Sequence, residues 1–433
     1  MNFYSLNKKA PKVSFKEAVI KGLAPDKGLY FPEKITPLTK YFFNHIEYFS
    51  EEEIAFEVIR QFVSEEIPEK ELKKIIKETL CFNFPVITLD ENIATLELFH
   101  GPTMAFKDVG ARFMARCLSY FNKKDNTAKV TVLVATSGDT GGAVASGFLG
   151  VEGVDVVILY PSGKVSEVQE KQLTTLGKNI TALEVDGTFD DCQAMVKKAF
   201  LDSDITDFKN LTSANSINVA RWLPQMFYFF FAYKQLKNKH KDLVFSIPSG
   251  NFGNICAGMM AKQLGLPIKH FIASTNINDV VPNYLKTGEY NPKPSKQTIS
   301  NAMDVGDPSN FVRILEIYKN DFSKLKKEFS SYSFTDDETK KAMLQIKQNS
   351  NYIADPHGAV GYLGLKKFID ENTKDIQGIF LETAHPVKFL DVVEPIINGS
   401  IKLPKQIKKV IKKKKIAIKI SSYKQLKQFL LNS

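Results

Sequence analysis

Lys107 lies in the run His100-Gly101-Pro102-Thr103-Met104-Ala105-Phe106-Lys107-Asp108, where a Gly-Pro turn leads into a helical pattern. Val109, Phe113, Cys117 and Phe121 recur every fourth residue and predict a helix with one face on a core. A lysine in the first turn of that helix meets the positive dipole end and apolar neighbours, and both favour the neutral amine. A neutral amine can form a Schiff base with a carbonyl. Taken singly, a lysine at a helix start reads more readily as a solvated side chain.

Three further segments carry residue types suited to anions. Pro248-Ser249-Gly250-Asn251-Phe252-Gly253-Asn254 follows an apolar strand pattern and opens a helix. Its glycines let the backbone approach a ligand, and free helical amides form an anion cradle. Thr136-Ser137-Gly138-Asp139-Thr140-Gly141-Gly142 is a similar turn rich in hydroxyls, suited to a carboxylate or a second phosphate. Asn215-Ser216-Ile217-Asn218-Val219-Ala220-Arg221 sets two amides and a guanidinium around a helix start, and arginine grips phosphate bidentately. Each has an ordinary structural reading beside it: a glycine turn, a helix start capped by Ser or Asp, a capping segment with a surface arginine. The loops match neither the dinucleotide fingerprint nor a Walker loop. The six histidines (His45, His100, His240, His270, His357, His385) show no ligand spacing, so no metal is expected, and no Gly-x-Ser-x-Gly elbow is present.

Elements that would position these groups alternate from residue 93 onward. Strand patterns at Ile93–Phe99, Val130–Ala135, Val154–Tyr160, Ile180–Val185, Leu243–Ile247 and Lys269–Ala273 alternate with helical ones. A long helix is expected around Asn218–Leu236, and Ile379–Glu382 reads as a late strand. Continuous apolar strands between helices imply an α/β fold, with parallel or mixed sheets covered on both faces. The units suffice for two lobes with a ligand cleft between them. The expected divisions are 1–92, mainly helical; 93–240, the lobe of Lys107 and the hydroxyl loop; 241–400, the lobe of the phosphate cradle; and 401–433, a lysine-rich tail. Residues 276–310 read as a surface excursion.

Composition bounds the partners. With 433 residues and 43% hydrophobic content, a sizeable core is expected. No run approaches the length of a membrane span, and the first residues lack a signal-peptide pattern. Four scattered cysteines suit reduced thiols in the cytoplasm. The net charge of +10 resides in residues 401–433, which hold eleven lysines and no acid. Removing those eleven from the 58 basic residues leaves 47 against 48 acidic ones, a net charge of −1. Few arginines or aromatics accompany the lysines, so a solvated surface is preferred to a nucleic-acid site.

Six ordered motifs together resemble threonine synthases of the longer, bacterial and fungal type. They are LFHGPTMAFKDVGARFMAR from Leu98, then TSGDTGGA, SANSIN, PSGNFGN, SNAMDV and ETAHP. The similarity runs from Val13-Ser14-Phe15 and Gly28–Pro32 to about residue 405. It implies a fold-type II pyridoxal-phosphate enzyme, like the tryptophan synthase β chain. The implied reaction converts O-phospho-L-homoserine and water to L-threonine and phosphate. By motif, Lys107 is the Schiff-base lysine. Gly250, Asn251, Phe252, Gly253 and Asn254 cradle the cofactor phosphate, Thr383 meets the pyridine nitrogen, and Asp139 lies near O3′. Substrate residues carried over are Thr136, Ser137, Gly138, Thr140, Asn215 and Arg221. Asn254 departs from the aspartate common in longer-type members. A dehydratase on the same fold, an inactive binding relative, and nucleic-acid binding through the tail are the competing readings. Monomer and homodimer both stay open.

Overall fold

Strand Val130–Ala135 is buried at every position, as a strand covered on both faces must be. It belongs to a five-stranded sheet ordered Ile418–Ile420, Ile180–Val185, Val154–Pro161, Val130–Ala135, Asn210–Ser213. All its pairings are parallel. The second sheet has six strands in the order Phe329–Ser333, His270–Thr275, Asp242–Pro248, Ile376–Glu382, Ile93–Glu97, Val86–Asp90. Its edge hairpin, Val86–Asp90 with Ile93–Glu97, is antiparallel, and the other pairings are parallel. The structure is a computed structural model and describes residues 1–125, 129–236, 241–372 and 375–432. His240, the end of one expected division, and Ser433 lie outside them.

The hydroxyl loop follows Val130–Ala135, the glycine loop follows Asp242–Pro248, and Thr383 follows Ile376–Glu382. All three leave the carboxyl ends of parallel strands, where α/β sheets bind ligands. Helix Lys107–Asp125 runs beside Asp139–Phe148. The two approach closely because Gly147 faces Ala111, where a Cβ would stand 3.0 Å from backbone.

Four expectations change. Ile93–Glu97 pairs with Ile376–Glu382 and so belongs to the sheet of the phosphate cradle rather than that of the Lys107 lobe. Sequence order does not set strand order when parallel pairing permits distant segments to meet. The first 80 residues include an antiparallel sheet of Asn2–Ser5, Val13–Ser14 and Tyr30–Pro32 besides their helices. The helix expected over 218–236 is Val219–Trp222, a 3-10 turn Leu223–Gln225 and Met226–Leu236, because Pro224 interrupts the α-helical ladder.

The lysine-rich end is structured as well. Helix Lys405–Ile411 packs on Glu167–Thr174, Ile418–Ile420 extends the five-stranded sheet, and Tyr423–Asn432 covers Phe189–Ala199. Ile407, Ile420, Leu426 and Leu430 are buried there, while the lysines stand mostly at the surface. Lys415 reaches Glu170 and Glu184, and Lys427 reaches Asp202.

Candidate functional site

Lys107 opens its helix from a turn pinned on both sides. Asp108 folds back onto Thr103, accepting from the amide at 2.9 Å and from the hydroxyl at 2.6 Å. Met104 takes the left-handed conformation (φ 57°). The amide of Phe106 donates to the carbonyl of Thr383 at 2.8 Å, and that of His385 donates to Met104 at 3.0 Å. The hydroxyl of Tyr228 donates to the Phe106 carbonyl. Lys107 Nζ has no hydrogen bond or ion pair among the described residues. Burial lowers its pKa from 10.5 to about 8; Asp139 works against the fall, while Lys388 and Arg221 add to it.

The glycine loop supplies the anion cradle. Phe252 has φ 60° and stands immediately before helix Gly253–Gln263. The amides of residues 250–254 have no acceptor among the described residues, whereas the flanking Ser249 and Ile255 amides are paired. Five consecutive unpaired amides at a helix start fit a phosphate. Asn254 holds the loop shut, its Nδ2 donating to the Pro248 carbonyl at 2.9 Å while Oδ1 accepts from the Ile255 amide at 2.9 Å. A Cβ on Gly250 would lie 2.9 Å from the Ala302 carbonyl and the Met303 Cα. The loop is therefore packed beneath and open toward the ligand side.

In the hydroxyl loop, Thr136 Oγ1 accepts from the Gly138 amide at 2.9 Å and the Gly141 amide at 2.8 Å. Gly138, rather than Ser137 or Asp139, is the N-cap and supplies no side-chain bond. Its φ of 135° and the Gln169 side chain, 2.5 Å from a built Cβ, reserve the position for glycine. The amides of Ser137, Asp139 and Thr140 stay unpaired among the described residues. Asp139 is buried and accepts from Gln169 Nε2 at 2.9 Å and from Lys388 Nζ at 2.5 Å. Burial would raise its pKa, but Lys388 and Lys107 together hold it well below the usual carboxylate range.

Lys107, Thr136, Ser137, Thr140, Asn215 and Asn251 line one cleft with about 430 Å³ of space, part of it open to solvent. Asp139, Gly138, Gly250, Phe252, Gly253, Asn254 and Thr383 lie in the segments around this lining, and Arg221 stands behind it. Arg221 donates through Nη1 to the Ala214 carbonyl, and its Nε is buried without a partner against Gly110. Burial lowers its pKa to about 10.

The structure adds residues to which sequence reading gave no role. Ser216, Asn301, Ala302, Asp304 and Val305 also line the cleft, although 276–310 read as surface. His357 Nε2 accepts from the Ala302 amide at 3.2 Å and fixes that wall. Lys388, on the turn Pro386–Phe389, is a fully buried lysine at the centre, whereas Lys107 is half-buried. The signal in the sequence is a lysine within an apolar run directly after ETAHP, at a position where a solvated lysine has no surface to reach.

A family model described as pyridoxal-phosphate dependent enzyme matches residues 85–376. Models described as threonine synthase N terminus and threonine synthase, C-terminal match residues 2–80 and 358–430. The latter extends the likeness through the lysine-rich end. Threonine synthase of Buchnera aphidicola subsp. Baizongia pistaciae is 45% identical over 437 residues, covering 100% of both chains. That of Escherichia coli is 42% identical over 408 residues, 94% of each chain. The crystal structure of threonine synthase from Escherichia coli superposes with a TM-score of 0.94 at 40% identity, covering 100% of both chains. A pyridoxal-phosphate-bound threonine synthase from Brucella melitensis gives 0.93 at 34% identity, covering 100% of this chain and 99% of that one. With the cradle, the near-neutral lysine and these full-length likenesses in agreement, the chain belongs to the threonine synthase family of pyridoxal-phosphate-dependent enzymes.

Proposed function

We propose that the cleft turns O-phospho-L-homoserine and water into L-threonine and phosphate, with the cofactor phosphate on residues 250–254 and Lys107 bonded to its aldehyde. The observation that carries this reading is a lysine, its pKa lowered to about 8, on a cleft also lined by Asn251 from the run of five unpaired amides. When bound, pyridoxal phosphate supplies the electron sink for charge developing beside the substrate nitrogen. Once the substrate amine has displaced it, Lys107 Nζ would take the protons at Cα and Cβ and return them at Cγ and Cα, while phosphate leaves Cγ and water adds at Cβ, a task suited to an amine titrating near pH 8. Thr383 would offer a neutral hydroxyl to the cofactor's ring nitrogen, and Asp139 would interact with its ring oxygen. Such a hydroxyl does not hold the ring nitrogen protonated, which favours elimination and replacement over transamination.

The unpaired amides of the hydroxyl loop, with Thr136, Ser137 and Gly138, receive the substrate carboxylate. Thr140 and Asn215 meet the substrate phosphate, and Arg221 adds positive charge from behind the loop it holds through Ala214. Incubation with phosphohomoserine should release threonine and phosphate in equal amounts. Ammonia with a keto acid instead would overturn the reading in favour of a dehydratase. Lys107→Ala should abolish both turnover and the visible band that borohydride bleaches.

A further inference from the structure

Lys388 belongs to none of the motifs that carry the family resemblance, yet its side chain has 0% exposure and its amine stands 2.5 Å from Asp139 Oδ1. It also donates to the Thr103 carbonyl at 3.0 Å, which Gln172 Nε2 shares at 3.0 Å. The turn that carries it is set by His385, whose Nδ1 accepts from the Val387 amide at 3.0 Å. Burial pushes the His385 pKa down to about 4, so the ring is neutral and can accept. The segment after Thr383 therefore clips onto the Lys107 turn and inserts an ammonium beside Asp139. A lysine this deeply buried is costly unless an anion meets it, and a methionine would fill similar volume without that cost.

The ionisable groups acting on the Lys107 amine are Asp139 from helix Asp139–Phe148, Lys388 from the turn Pro386–Phe389 and Arg221 from helix Val219–Trp222. One carboxylate thus pairs with the Lys388 amine and acts electrostatically on that of Lys107. With Lys388 paired to Asp139, that carboxylate is already matched, so a second ammonium at Lys107, with Arg221 also nearby, would add unmatched positive charge. We propose that Lys388 is a positioning residue for the reaction: it engages the Asp139 carboxylate so that Lys107 keeps an unpaired, neutral amine. This rests on the reading of Lys107 as the cofactor-bonding lysine.

The test uses the full-length chain freed of cofactor and mixed with pyridoxal phosphate. The rate at which a borohydride-bleachable visible band appears is followed from about pH 6 to 11, spanning the ordinary and shifted ranges of an amine. Its midpoint reports the Lys107 amine. In Lys388→Met the midpoint should rise, slowing capture at neutral pH at least about tenfold, because a released carboxylate favours the ammonium of the remaining amine. Lys388→Arg should restore most of the wild-type rate, and K388M/D139N, lacking both charges, should return the midpoint toward wild type. An unchanged midpoint in Lys388→Met overturns the proposal. Should that variant not fold, Asp139→Asn carries the test: leaving Lys388 unmatched beside Lys107 must lower the midpoint, and no change overturns the proposal. A band that survives Lys107→Ala removes the underlying reading instead.

Discussion

The Phe106 amide and the Thr383 carbonyl meet at 2.8 Å, tying the residue before Lys107 to the residue after strand Ile376–Glu382. The contact follows from the sheet. Glu97 and Glu382 are register partners at the ends of adjacent parallel strands, so the segments that leave them start side by side. An isolated bridge between Ala105 and Ala384 continues the contact. Backbone thus sets the spacing between the lysine and the Thr383 side chain before either side chain acts.

Thr383→Val keeps that backbone bond and the β-branched shape while removing the hydroxyl. The visible band should persist, and kcat should fall about tenfold, the scale of one net hydrogen bond of up to 1.5 kcal/mol. Full activity in this variant would take the hydroxyl out of the proposed chemistry.

The two cradle glycines should respond unequally to alanine. At Gly250 the new methyl meets the Ala302 carbonyl and Met303 Cα at 2.9 Å, both backbone, so the loop itself must move. At Gly253 it meets the Asn310 and Ser216 side chains at 3.3 Å, which can give way. Overpacking of about 1–3 kcal/mol predicts roughly 10- to 100-fold weaker pyridoxal phosphate binding for Gly250→Ala, and a smaller loss for Gly253→Ala. Equal losses by fluorescence titration would contradict the packing argument.

Arg221 is a guanidinium buried behind the cleft with an unpaired Nε. Arg221→Ala should weaken phosphohomoserine binding by removing positive charge from behind the cleft, a loss smaller than the roughly tenfold or more of a direct bond to a charged group. Cofactor binding should change much less, because Arg221 stands behind the wall of Asn215 rather than in the Gly250–Asn254 loop. Unchanged substrate affinity would assign Arg221 to holding the Ala214 carbonyl alone.

Much of this arrangement was legible because its signals are local. Val130–Ala135 and Ile180–Val185 were bounded by their β-branched runs, and the glycine loop by its place between strand and helix. What escaped depends on contacts between distant segments. Lys388 takes its meaning from Asp139, on another helix and far away in the chain. Asn301–Val305 has loop composition, and it becomes a wall because Gly250 packs beneath it and His357 holds Ala302. The lysine-rich end hid its few apolar anchors among charges, although Leu426 and Leu430 stand four apart on one helix face and Ile407 is buried on another helix.

Two displaced groups, the half-buried Lys107 and the buried Asp108, give the cofactor-free chain opposite slopes of stability against pH. The Lys107 amine titrates near 8 when folded, against 10.5 for the free side chain. Between those values the unfolded chain holds a proton that the folded chain lacks, so stability rises with pH across that window. Asp108 is raised by burial from 3.8 to about 6, so the folded chain holds the extra proton between them and stability falls as pH rises there. Lys107→Met should lessen the alkaline rise and leave the acidic fall intact, and Asp108→Asn should lessen the acidic fall, to which Asp304, also raised to about 6 by burial, contributes, and leave the alkaline rise intact. Urea denaturation midpoints taken on both sides of each window separate the two. An alkaline slope unchanged in Lys107→Met would show that the amine is not displaced toward neutrality. It would also deprive the proton transfers assigned to Lys107 of their physical basis, because an amine titrating at its ordinary value is almost wholly charged at neutral pH.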